Sequence, residues 1–211
     1  MKECVFCKKF GYEITKNNIR KWYDELIIES NNFVVVPALG QIIPGYLLLI
    51  PKLHISSISQ LNHQLRNEMC EVLLKVMKMQ SACWSRPIIF EHGSSPNEMS
   101  SGASIEHAHW HLVPGNWNLV SSQSNSVHLI LSIDEFFSYF YNSETYLLIS
   151  DFDMKLHILL NERVPSQYFR RNLAFAMGKP NKWNYLKYPF TSNIKKTYEK
   201  IETFKSEILS T

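Results

Sequence analysis

The sequence has no apolar run approaching the ~20 residues that a membrane-crossing helix needs, and its formal net charge is only +3. Its basic residues are scattered, so no stripe exists that could track a nucleic-acid backbone. Internal repeats and low-complexity linkers are missing as well, which sets aside repeat arrays and tethered modules. Cysteine is sparse: Cys4, Cys7, Cys70 and Cys83 are the four, with no secretory apolar segment ahead of them. That usage favours reduced thiols in the cytoplasm over a disulfide scaffold. What remains is a 211-residue chain with 45% hydrophobic residues. This suits one large domain, or one domain with an extension.

Against that plain background one string stands out, Ile105-Glu-His-Ala-His-Trp-His-Leu-Val-Pro114. In an extended strand residues i, i+2 and i+4 share a face, so His107, His109 and His111 would line one surface. At ~3.3 Å rise per residue, neighbours in that row sit roughly 6–7 Å apart and the outer two roughly 13 Å. Adjacent imidazoles can then act on one substrate, while the outer pair can hardly ligate one ion. Imidazole titrates near neutrality, so one such face can hold nucleophile, general acid and metal ligand. A metal-dependent hydrolase using the histidines as ligands stays open at this point. It resembles the His-x-His-Trp zinc strand of the α-carbonic anhydrases, but it needs a third ligand from another strand.

A second informative stretch lies upstream. Residues 33–36 and 46–50 read as strands around a Pro44-Gly45 turn, and Pro51 ends the second because it lacks a ladder donor. Residues 59–82 read as a helix, since Leu61, Leu65, Met69, Val72, Leu73, Val76 and Met77 recur at helical spacing. Residues 23–29 are expected to be a strand pairing with 33–36, residues 87–90 a short strand, and residues 104–113 the histidine strand. That order predicts an α+β fold, an antiparallel sheet with a long helix packed on it.

Pro44-Gly-Tyr-Leu-Leu-Leu-Ile-Pro-Lys-Leu-His54, then a helix, then Gly102-Ala-Ser104 and the alternating histidines, resembles the histidine triad (HIT) superfamily of nucleotide hydrolases and transferases. The likeness covers residues 4–115, with both motifs in the expected order and separation. The resemblance implies a nucleotide as small-molecule substrate, cleaved at the α-phosphate. That substrate would be a nucleoside polyphosphate, a phosphoramidate or a nucleotide-sugar. His109 would be the nucleophile that forms a nucleotidyl-histidine intermediate. His111 would contact the phosphate, with Ser104 a phosphate or leaving-group contact and Gly102 beside it in the substrate loop. A non-catalytic nucleotide-binding sensor is the other reading that keeps the pocket. Homodimers are common in the family; no membrane and no stable nucleic-acid partner is expected.

This chain also departs from the family pattern. Tyr46 stands where many members have histidine, and Glu91-His92-Gly93 where hydrolases often carry Asn-x-Gly. Glu91 is expected to bind a substrate hydroxyl or amine, or to assist proton transfer. His111, rather than glutamine, argues against the galactose-1-phosphate uridylyltransferase branch. Some family members have an amino-terminal Cys-x-x-Cys that binds zinc with two histidines. That resemblance implies a structural Zn2+ held by Cys4, Cys7, His54 and His107, and no organic cofactor. Cys70 and Cys83 are expected to be buried apolar residues.

Residues 1–120 thus read as a HIT-like catalytic domain and 121–211 as a carboxyl-terminal α/β extension on the same core. In that extension residues 133–141 read as a helix, 146–150 and 155–160 as a hairpin, and 193–209 as a final amphipathic helix. Residues 164–178 also read as a helix, with Pro165 in its first turn, Ser166 as cap and Gly178 as stop. Pro165-Ser-Gln-Tyr-Phe-Arg-Arg171, with Trp183 downstream, is similar to extensions of some bacterial HIT proteins. If this segment folds back over the histidines, Gln167 and Arg170 would contact phosphate.

Overall fold

The computed structural model describes residues 4–12, 20–94, 106–119, 127–140, 145–160 and 164–209. Their organising element is one antiparallel sheet. Its strands in chain order are β1 (Ile28–Glu29), β2 (Phe33–Pro37), β3 (Leu47–Pro51), β4 (Pro87–Gly93), β5 (Trp110–Pro114), β6 (Val127–Leu131), β7 (Tyr146–Ser150) and β8 (Leu156–Leu160). In space they run β1-β2-β3-β5-β4-β7-β8-β6. The pairing of β7 with β4 joins the carboxyl-terminal strands to the rest without a break.

Helices cover both faces. On one side α2 (His63–Cys83), α3 (Ile133–Tyr139) and α5 (Thr191–Leu209) pack through Val72, Val76, Phe136 and Ile201. On the other, α1 (Val5–Phe10) and α4 (Tyr168–Ala176) pack through Phe6, Phe10, Phe169 and Leu173. A strand covered on both faces needs apolar residues at every position, not at alternate ones. Phe33–Pro37 and Leu47–Pro51 are buried throughout. Each fully buried leucine, isoleucine or phenylalanine among them stabilises the fold by about 1.5–3 kcal/mol.

Local chemistry sets the helix starts. The Asn62 side chain accepts from the Leu65 N–H at the start of α2, and Ser132 with Glu135 forms a capping box at α3. α4 starts later than expected, because Ser166 is not its cap. Gln167 holds the N-cap position in a left-handed conformation (φ 60°) without a side-chain cap bond. Gly178, with φ 67°, follows the end of α4.

Three strand expectations shift. Residues 22–24 form a 3-10 turn instead of strand, because the Asp24 carboxylate accepts from the Lys21 N–H and from Lys9. β5 begins only at Trp110, because the residues before it are bonded elsewhere: the Ala108 N–H reaches the Ile55 carbonyl at 2.7 Å. β6, an edge strand with His128 and Ile130 exposed, was not anticipated.

Candidate active site

The pleat of the central strands decides which side chains meet. Leu48, His111, Phe90 and Ile149 are paired across β3, β5, β4 and β7 and so share a face. It is the α1/α4 face. The rings there are in contact: Phe90 stacks on His111 with centroids 4.4 Å apart, and His109 and His111 are 4.6 Å apart. Phe6 of α1 presents its edge to His109 at 5.3 Å. Beneath α4 this face holds a cavity of about 380 Å³, lined by His92, His109, His111, Gln167 and Arg170 among apolar neighbours.

Hydrogen bonds fix the state of each triad histidine. His109 Nδ1 lies 2.7 Å from the carbonyl of His107. A carbonyl only accepts, so Nδ1 carries the proton and Nε2 is left with a bare lone pair. Burial holds His109 down to about 4, with the Arg170 and His92 charges adding to the effect, so it is neutral at pH 7. His111 is also held well below its usual value by burial, then by His109 and Arg170. Its Nδ1 sits 2.6 Å from the Tyr46 hydroxyl.

His107 is turned to a different task. Its Nε2–H donates to the Pro51 carbonyl at 2.8 Å, which leaves Nδ1 free to ligate. That nitrogen lies 3.4 Å from Cys4 Sγ, 3.5 Å from Cys7 Sγ and 3.2 Å from His54 Nδ1. Cys7 Sγ and His54 Nδ1 are also 3.2 Å apart, and all four ligand atoms lie within 4.8 Å of one another. Metal–nitrogen bonds of ~2.0–2.1 Å and metal–sulfur bonds of ~2.3 Å in a tetrahedron give edges of roughly 3.3–3.8 Å, close to these spacings. A carbonyl on the far nitrogen is also the usual partner of a metal-bound histidine. The four residues are therefore a set able to hold a metal ion. Because they join α1 to the segment entering β5, that set also braces the cavity wall containing Phe6.

The expectation for Glu91 is corrected. It is 1% exposed and points to the α2 face, away from the cavity. Its carboxylate accepts from the Ile58 N–H (2.8 Å), Trp110 Nε1–H (3.0 Å) and Tyr146 O–H (2.7 Å). Burial pushes it up to about 7 against those three bonds. The neighbour that does face the cavity is His92, two residues beyond Phe90 on the same pleat. Strand parity was the available signal, because a residue that alternates with Phe90 shares its face.

The carboxyl-terminal segment does fold back over the histidines. Gln167 lines the cavity, although its Oε1 is buried without a partner. Arg170, 6% exposed, lies over the Tyr46 ring at 5.5 Å and gives Nη2–H to the Gly40 carbonyl at 2.6 Å. Lys9 and Asp24 pair at 2.8 Å in the same wall. Of the two minor cysteines, Cys83 is buried and Cys70 half-buried against the α2-side core. Ser104 and Gly102 lie outside the described residues.

Comparison with known families gives a match over part of the chain. Residues 19–118 match the family described as HIT domain. Across that segment the α+β sheet-and-helix architecture is HIT-like. Similar solved structures include a HIT-like protein involved in cell-cycle regulation from Bartonella henselae, at 18% identity over 53% of this chain and 79% of that one, TM-score 0.40. A HIT family hydrolase from Clostridium thermocellum is 19% identical over 60% and 98%, TM-score 0.40. A HIT family protein from Bacillus anthracis is 25% identical over 54% and 73%, TM-score 0.40. No curated protein matches this chain. Among the described residues no helix is long and apolar enough to cross a membrane.

Proposed function

We propose that this chain is a histidine triad nucleotide hydrolase or nucleotidyltransferase that works through a covalent nucleotidyl-histidine intermediate. The HIT domain match supports a nucleotide-binding function of this type. The observation that carries the covalent step is the bond from His109 Nδ1–H to the His107 carbonyl, which leaves Nε2 as a neutral nucleophile. In the first step Nε2 attacks the α-phosphorus. An N–P bond forms, the P–O bond to the leaving group breaks, and the leaving group departs with the electron pair. The ring then carries a positive charge, and the His107 carbonyl, still accepting from Nδ1–H, stabilises it. In the second step water or another acceptor attacks phosphorus, the N–P bond breaks, and His109 is regenerated as the acceptor's proton is released. His111 contacts the phosphate, and the stretch containing Gly102 and Ser104 supplies further contacts. Gln167 and Arg170 complete the cavity from the carboxyl-terminal side.

Zinc is the ion we assign to Cys4, Cys7, His54 and His107. Two thiolates and two imidazoles fill a tetrahedral shell, so its role is structural, and it supplies charge to hold α1 against the histidine strand. The rival with all three histidines on one ion finds no support, since His107 Nδ1 is directed to the cysteines and not to its triad neighbours. Residues 1–120 form the catalytic part, and 121–211 an extension sharing its sheet through β7. A reducing cytoplasm suits the four free cysteines. The test is turnover of a panel of adenine and guanine polyphosphates, phosphoramidates and nucleotide-sugars. The folded wild type is expected to turn over at least one, and His109→Ala to lose that activity. Turnover that survives in His109→Ala would overturn the reading.

A further inference from the structure

The hydrogen bonds behind His111 have one consistent polarity. An arginine guanidinium carries donors only. Arg170 gives Nη2–H to the Gly40 carbonyl at 2.6 Å and Nε–H to the Trp183 carbonyl at 3.3 Å, and its guanidinium lies 5.5 Å from the centre of the Tyr46 ring. Tyr46 is fully buried, and among the described residues the one hydrogen-bond partner of its hydroxyl is His111 Nδ1, 2.6 Å away, so its proton goes there. Burial pushes the Tyr46 phenol up to about 12 despite the nearby guanidinium, and it keeps that proton. His111 Nδ1 is then an acceptor, and a neutral imidazole whose Nδ1 is bare carries its proton on Nε2.

The support behind this chain is rigid. Gly40 has φ +73°, and a β-carbon there would lie 2.6 Å from Arg170 Nη2 and 2.5 Å from Tyr185 Cβ. Only glycine lets the carbonyl approach the guanidinium so closely. Tyr46 itself is fully buried, edge-on to Phe90 at 6.2 Å.

We propose that Tyr46, backed by Arg170, is a positioning residue that locks His111 in the Nε2–H tautomer. The assignment rests on the nucleotidyl-transfer reading of this site and deepens it. Two adjacent imidazoles are held in opposite tautomers by two different partners. His109, bonded to a carbonyl, offers a lone pair; His111, bonded to a hydroxyl, offers an N–H. That N–H donates a hydrogen bond to a non-bridging phosphate oxygen as charge grows on it, with no proton transferred. Arg170 stands behind Tyr46, with two of its donors already committed to backbone carbonyls.

The deciding measurement is the tautomer of His111 in the full-length zinc-loaded protein carrying nitrogen-15 histidine. It is read from long-range proton–nitrogen spectra and assigned by difference against His111→Gln. The wild type is expected to show a protonated Nε2 and a bare Nδ1. Tyr46→Phe keeps the ring but removes the hydroxyl, and is expected to yield a mixture of tautomers. With adenosine 5′-phosphoramidate and ATP as probes, its kcat should fall about tenfold while KM stays within about twofold. Tyr46→His restores a group that can donate to His111, and should recover the Nε2–H form. A wild-type His111 protonated on Nδ1 would overturn the proposal, as would a Tyr46→Phe protein with unchanged tautomer and kcat. The wild-type spectrum needs neither variant nor nucleotide, so it decides the point even if Tyr46→Phe misfolds. It also keeps a failure here distinct from a failure of the covalent mechanism.

Discussion

Strands β4 and β5 send alternate side chains to two faces, and the polar groups buried on them differ in kind. Toward α2, Glu91 has both oxygens engaged by three donors. Toward α4, His109 and His111 each have one ring nitrogen engaged and the other available beside the cavity. Burial alone therefore does not mark a working residue in this fold, since Glu91 is as deeply buried as any group in the site. What separates the two faces is saturation. A buried group whose hydrogen-bonding capacity is filled stabilises structure, whereas one with an oriented vacancy can do chemistry.

Substitutions can break that contrast, and the largest effect is expected at His109. His109→Ala should lower kcat by roughly 10³-fold or more while the thermal midpoint stays near that of the wild type, as read by steady-state turnover and melting. A large loss of stability without a kinetic defect would move His109 to the saturated class. Metal removal comes next. Prolonged chelation should strip zinc, measured by atomic spectroscopy, and destabilise the fold by several kcal/mol. It should also raise KM, because α1 and Phe6 lose their brace. A chelated, zinc-free protein with an unchanged melt would show that the cysteine–histidine set has no structural role.

On the opposite face, Glu91→Gln should cost about 1–3 kcal/mol, because its amide N–H₂ must face a donor that the carboxylate accepted. Activity per folded molecule should be retained; the readout is the denaturant midpoint alongside kcat/KM. The pH dependence gives this prediction a sign. Burial raises Glu91 from an ordinary carboxylate value to about 7 in the folded chain. Its contribution is therefore fully present below about pH 4.5 and lost as pH rises through about 7, up to about 3 kcal/mol in all. The stability gap between wild type and Glu91→Gln should thus narrow from pH 5 to pH 8, and a gap that widens would contradict the assignment. The smallest effect is expected at His92. Its replacement by alanine should raise KM two- to tenfold, the worth of about one hydrogen bond, with kcat little changed.

Much of this site was legible in the chain. The alternation of His107, His109 and His111 and the Pro51-Lys-Leu-His54 motif located the chemistry, because both are local patterns. Of the four candidate ligands, Cys4 and Cys7 form a local Cys-x-x-Cys pair, whereas His54 and His107 joined them only through the likeness to family members that carry such a pair. Glu91 was misread because the face of one strand residue depends on register with partners far away in sequence. Alternation puts His92 with Phe90 and opposite Glu91, but only the pairing of Phe90 with His111 shows which of the two faces borders the cavity. β6 escaped notice although four of its five residues, Val127, Leu129, Ile130 and Leu131, are apolar. The approach of Arg170 to the Tyr46 ring was invisible for a related reason. It is made by α4 docking over a strand formed much earlier in the chain, and only Tyr46 in place of histidine hinted that something different stood there.

The chemistry proposed for this site turns on a covalent intermediate on His109. The direct test is intact-protein mass after brief mixing with adenine and guanine nucleotides, quenched in alkaline denaturant because phosphoramidate bonds are acid-labile. The expected result is a gain of one nucleoside monophosphate that maps to His109 and is absent in His109→Ala. Turnover without any such adduct, lost on brief treatment with chelator, would contradict it and return the histidines to the role of metal ligands.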